Sequence, residues 1–183
     1  MPHQNLWAPW RISYLESLGG DADDQPPPRP GKGGGCFLCA AAEPGLDDAT
    51  KAERLVLLRD ERGSLMLNRY PYSNGHLLAA PRKHAADISD LTADERAGLM
   101  ELADLGNRLL RDAMHCQGVN LGMNLGRVAG AGVPGHCHMH LVPRWNGDVN
   151  FMQTVAGARV IPQALEASYD ALRIALAQEK THG

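Results

Sequence analysis

The sequence predicts an α+β fold, five short strands in an antiparallel arrangement with two principal helices. Three observations carry this: strand-length apolar runs separated by tight turns, two stretches with a helical repeat, and little βαβ alternation. With 183 residues, 44% hydrophobic and 21% charged, the chain suits a single domain over 1–183 that can bury a core without staples.

In chain order, residues 1–18 carry two of the three tryptophans, in Leu6-Trp7-Ala8-Pro9-Trp10-Arg11, so this stretch is expected to pack onto the body. Gly19 to Gly35 holds six glycines and four prolines and reads as a mobile loop within the domain. Strands are expected at Leu55–Leu58, Ser64–Asn68 and His76–Ala80, with turn chemistry in Tyr70-Pro71-Tyr72-Ser73-Asn74-Gly75 between the last two. A helix is expected from Thr92, with Glu95 completing a capping box, a stripe of Leu99, Ala103, Gly106, Leu110 and Ala113, and Gly118 as the stop. Two more strands follow, Val119–Leu125 and Cys137–Val142, joined by the glycine-rich loop Gly126–Gly135. The last helix begins near Pro162, with Leu165, Tyr169, Leu172 and Leu176 on one face.

A net charge of -3 leaves no basic field to hold nucleic acid. No apolar run reaches the roughly 18–20 residues of a membrane span. The amino-terminal segment lacks the charged and apolar regions of a secretory signal, so the cytoplasm is the expected compartment.

Three of the eight histidines fall in His136-Cys137-His138-Met139-His140. Period two places these histidines on one strand face and Cys137, Met139 and Leu141 on the other. Three imidazoles on one face could share a metal, or attack and assist a phosphate ester or anhydride. The neighbouring glycine-rich loop favours phosphate, because its N–H groups can form an anion-binding nest and Arg127 adds a cation. Cys36 and Cys39, by spacing alone, fit buried apolar residues, a redox pair or half of a zinc site. Cys116 and Cys137 read as small core residues.

The segment HCHMHLVP fits the pattern His-φ-His-φ-His-φ-φ and resembles the signature of the histidine-triad (HIT) superfamily of nucleotide hydrolases and transferases. LNRYPYSNGHLLAAPRKH, the capped helix after it and MNLGRVAGAGVPGHCHMHLVPRWNGDVNF agree in order and spacing. With LWAPWR and CFLC, they resemble the bacterial branch that includes diadenosine tetraphosphate phosphorylases. The resemblance covers roughly residues 1–18 and 36–178.

The resemblance implies the HIT-like fold, a five-stranded antiparallel sheet with two helices, as a homodimer. It implies that His138 attacks the α-phosphorus of a dinucleoside polyphosphate and becomes nucleotidylated, while His140 hydrogen-bonds or protonates the departing phosphate. Asn68 would contact the ribose, Asn124 and Gly132 the phosphates, and His76 would stand near the active site. A structural zinc would be held by Cys36, Cys39, His84 and His136. Magnesium is compatible with the substrate's phosphates, and no organic cofactor is implied. Phosphorolysis is favoured over hydrolysis as the fate of the AMP group, since loop N–H groups and Arg127 could receive a second anion. The alternatives are a purine nucleoside phosphoramidase, a nucleotide sensor without catalysis, and a metal-dependent oxygenase. Trp145 could serve core, dimer or substrate, and Arg82, Lys83, Asp87 and Asp94 read as solvated surface.

Overall fold

The computed structural model describes residues 35–148, 161 and 163–182. The expectations for residues 1–34 and for a helix start at Pro162 lie outside the described residues.

The described chain runs α1 (Phe37–Ala41), α2 (Asp48–Glu53), β1 (Val56–Arg59), β2 (Gly63–Leu67), β3 (Leu77–Pro81), a 3-10 turn (Ile88–Asp90), α3 (Ala93–Met114), β4 (Gly118–Met123), β5 (Met139–Arg144) and α4 (Leu165–His182). The five strands form one sheet in the order β1-β2-β3-β5-β4, every neighbouring pair antiparallel. Alternation along each strand divides the core in two. Leu65, Leu67, Leu77, Ala79, Met139 and Leu141 face α3 and α4, whose Leu99, Leu102, Leu109, Leu110, Tyr169 and Leu172 close the larger core. On the opposite face Val56, Met66, Leu78 and Ala80 pack against Leu38 and Ala41 of α1. The α+β reading holds, and because β2 is covered on both faces, all five of its residues are buried.

The elements depart from expectation at their ends. Leu55 is not in a strand: its left-handed backbone (φ 61) follows α2, and its N–H donates to Ala52 O at 3.1 Å. The two short helices α1 and α2 had no periodic signal to announce them. α3 has Thr92 as its N-cap and both halves of the box with Glu95. It stops at His115 rather than Gly118, because His115 itself takes the left-handed cap conformation (φ 50). Gly118 instead opens β4, which ends at Met123, short of Leu125.

Gly106 lies where α3 crosses the sheet most closely: a Cβ there would sit 2.7 Å from Leu141 Cδ2. β5 therefore lies directly under the middle of α3. It begins at Met139, not Cys137, so only His140 of the three histidines belongs to the ladder, opposite Leu78 on β3 and Gly122 on β4. Cys137 is instead held by its N–H to Ala85 O at 2.6 Å. The face assignment survives, with Cys137, Met139 and Leu141 in the helix-side core. Among the described residues no helix is long and apolar enough to cross a membrane.

Candidate active site and metal centre

Four side chains from three parts of the chain meet on the α1 side of the sheet. Leu38 and Ala41 are fully buried and anchor α1. Arg54 donates to the carbonyl of Ala40 within it (2.7 Å) and Arg59 to that of Ala42 at its C-cap (3.1 Å). That placement brings Cys36 and Cys39, at either side of Leu38, to His84 beyond β3 and His136 before β5. All four ligand atoms lie within 4.8 Å of one another. Nε2 of His136 lies 3.0 Å from Pro81 O, which can only accept, so Nε2 carries the proton and the Nδ1 lone pair faces both sulfurs at 3.4 Å. Cys39 Sγ lies 3.2 Å from His84 Nδ1.

These residues fit zinc. A tetrahedron with bonds of about 2.3 Å to sulfur and about 2.05 Å to nitrogen has S···N edges of about 3.5 Å. A backbone carbonyl orienting the ligand histidine is the usual outer-shell support. Burial, and then the Cys36 thiol beside it, pushes the Cys39 thiol up to about 11, so a thiolate here calls for a cation among the four atoms.

The remaining triad members form a pair with opposite hydrogen-bond roles. His138 is 5% exposed and its Nδ1 lies 2.9 Å from His136 O. A carbonyl can only accept, so Nδ1 carries the proton and Nε2 keeps its lone pair. The network next to it sets His140. Tyr72 N–H donates to His76 Nδ1 at 3.0 Å, with the Asn68 amide nitrogen 3.3 Å from the same atom. Fully buried His76 must then carry its proton on Nε2, which lies 3.0 Å from His140 Nδ1. His140 accepts at Nδ1 and presents Nε2–H outward. No proton can be relayed inward, because the backbone amide at the end of the row gives none up. His76 is a fixed donor.

The His138 and His140 rings are 4.9 Å apart, centroid to centroid, edge to face. Burial lowers the His138 imidazole below the usual histidine range, against the bond to His136 O. Burial, and then His138, pushes His140 down to about 4. Both rings are neutral near pH 7, as a lone-pair nucleophile and an N–H donor require.

The glycine-rich loop lies at the surface between β4 and β5. Asn124 Nδ2 donates to Gly130 O at 3.3 Å, holding the loop closed, while Arg127 and Gly132 lie exposed on it. Asn68 is occupied within the turn, its Oδ1 accepting Tyr70 N–H at 3.0 Å as its amide nitrogen reaches His76. The half-buried Trp145 packs against the larger core, and its indole N–H donates to Met114 O at 3.1 Å, at the end of α3. Two features escaped the sequence reading. The carbonyls of Pro81 and His136 carry no sequence signal, and Tyr72, whose ring covers His76, could have been suspected only as an aromatic residue in a turn.

The HIT domain model matches residues 49–147, which span α2 through the triad strand. The chain belongs to the HIT family. It is 36% identical over 164 residues to an AP-4-A phosphorylase from Mycobacterium tuberculosis, covering 88% of this chain and 78% of the relative. A solved Zn-bound histidine triad family protein from Mycobacterium smegmatis superposes with a TM-score of 0.64 at 30% identity, covering 81% of this chain and 97% of that one. A hypothetical histidine triad nucleotide-binding protein from Sulfolobus tokodaii gives a TM-score of 0.61 at 26% identity, covering 79% and 94%.

Proposed function

We propose that this HIT protein cleaves dinucleoside polyphosphates of the diadenosine tetraphosphate kind through a covalent nucleotidyl-His138, with inorganic phosphate as the favoured acceptor. The observation that carries the reading is the pairing of a lone-pair imidazole with an N–H imidazole, each fixed by its own hydrogen bonds. His138 Nε2 attacks the α-phosphorus, the N–P bond forms, and the P–O bond to the leaving polyphosphate breaks with its electrons on oxygen. The Nδ1 proton stays in place and meets the His136 carbonyl as the ring gains positive charge. His140 Nε2–H hydrogen-bonds the leaving oxygen and keeps its proton, because a polyphosphate departs as a stable anion. A phosphate oxygen then attacks the same phosphorus, releasing ADP and restoring His138. Water in its place would release AMP and a proton.

Asn68, Asn124, Arg127 and Gly132 form the substrate-binding set in this reading, whereas His76, expected among them, is fully buried with both ring nitrogens engaged and acts only through His140. The named activity of the 36% identical relative supports both the substrate class and the acceptor. Zinc on Cys36, Cys39, His84 and His136 is structural: a closed four-ligand set leaves no open position, and the metal would pin the segment carrying His138. Magnesium would come with the substrate's phosphates. The protein acts as a homodimer in this reading, and a light-scattering mass near the 19.8 kDa of one chain would overturn that part. The test of activity is diadenosine tetraphosphate supplied with and without inorganic phosphate. ATP plus ADP appearing only with phosphate is expected. AMP plus ATP, unaffected by phosphate, would make the protein a hydrolase, and no turnover of the dinucleotide would overturn the reading.

A further inference from the structure

The turn between β2 and β3 does more than reverse the chain. It is tied down from several sides: Ser73 Oγ donates to Pro143 O at 3.3 Å on β5, and Asn68 N–H donates to His76 O at 2.8 Å. So held, Tyr72 sets its ring 4.6 Å from that of His76, tilted by 40°, and 5.9 Å from that of His140, near parallel at 24°. One phenol ring thus spans both partners of the His76 Nε2–H···Nδ1 His140 bond, while the Tyr72 N–H fixes the far side of His76.

We propose that Tyr72 is a positioning residue for the leaving-group side of the reaction: its ring shields the His76–His140 bond from water and so keeps His140 neutral with its N–H turned outward. The physical reason is that a hydrogen bond between two neutral imidazoles survives only where water cannot compete for its donor and acceptor. An aromatic face supplies that cover with favourable stacking and no competing donor. Among the described residues the titratable groups facing His140 are His76, His138 and Tyr72. From the flanking strands come Leu78 and Gly122, which carry no charge. No neighbouring carboxylate is among these to hold a cationic His140, and Tyr72, 44% exposed, stands over the bond as part of the burial that acts with His138 to keep the ring neutral. The proposal rests on the nucleotidyl-transfer reading for its kinetic consequence, though not for its structural one.

The test uses the whole protein, wild type, Tyr72→Ala and Tyr72→Phe, labelled with ¹⁵N-histidine. In the wild type the imidazole shifts are expected to show Nε2–H on His76 and His140 and Nδ1–H on His138. In Tyr72→Ala the His140 titration rises from about 4 towards the usual value of 6.5 and its tautomers mix. Turnover is compared on aryl esters of AMP with good and poor phenol leaving groups. Tyr72→Ala is expected to lose roughly 10- to 100-fold on the poor one and less than about threefold on the good one. Tyr72→Phe, which keeps the ring, restores both readouts. Equal losses on both esters with an unmoved His140 titration would overturn the proposal, as would Nδ1–H on wild-type His140 or a Tyr72→Phe protein as impaired as Tyr72→Ala. If Tyr72→Ala does not fold, Tyr72→Leu takes its place with the same criteria. A wild type that turns over neither ester would count against the nucleotidyl reading alone, and the imidazole shifts would still decide the role of Tyr72.

Discussion

Replacing Tyr169 by Phe isolates one bond between α4 and the edge of the sheet. The Tyr169 side chain is 4% exposed, and its hydroxyl donates to Val56 O at 3.0 Å. Val56 sits at an irregularity in the β1–β2 ladder, where the register slips between Val56 and Leu58, so its carbonyl stands beside a disrupted stretch of sheet. The substitution removes the hydroxyl and keeps the packed ring in the larger core. The cost is then the lost bond plus the desolvation of a carbonyl left behind, about 2 kcal/mol. With a urea slope of about 2 kcal/mol/M for a chain of this size, the midpoint should fall by about 1 M with the slope unchanged. The assay is equilibrium urea denaturation followed by circular dichroism, at fixed and saturating zinc so that metal linkage is equal in both proteins. A midpoint within about 0.15 M of wild type would refute the reasoning, because it would mean that the carbonyl reaches water and α4 is not docked as described.

Three further outcomes are expected. Cys39→Ser, which removes the sulfur lying against both ligand histidines, should take zinc from about one per chain to well below it by elemental analysis and lower the melting temperature. A wild type purified without zinc, with Cys39→Ser equally stable, would remove the metal from the account. Because burial holds His138 and His140 below the ordinary histidine value, the stability they contribute is present above pH 6.5. It is lost as the pH falls from there towards about 4, since the unfolded chain takes up protons that the fold excludes. Thermal melts across that window should show a steady decline as the pH is lowered. The acid limb of kcat/KM should fall below pH 6.5 for the same reason, and a limb centred at 6.5 or above would contradict the neutral pair.

How much of this was legible follows from how local each signal is. The Thr92–Glu95 box is written within four residues and needs nothing distant, so the start of α3 was readable. Its end was not, because His115 adopts a backbone conformation more often signalled by glycine. The alternation of Cys137, Met139 and Leu141 against the histidines gave the faces of β5. The claim that all three histidines lie on the strand failed, because the Cys137 N–H is captured by Ala85 and the ladder begins only at Met139. The metal cluster joins cysteines to a histidine 97–100 residues away, a pairing that spacing alone could not supply and the family resemblance did. The roles of His138 and His140 depend on backbone carbonyls and amides, which every residue possesses and no sequence reveals.

The central claim is the covalent step on His138. Wild-type protein is mixed with diadenosine tetraphosphate without phosphate, quenched within the first turnovers under alkaline denaturing conditions that preserve a phosphorus–nitrogen bond, and mapped by peptide mass spectrometry. One AMP is expected on the peptide carrying His138, discharged as ADP when inorganic phosphate is added before the quench, and absent from His138→Ala. Turnover by His138→Ala, or an adduct on His140 instead, would contradict the account.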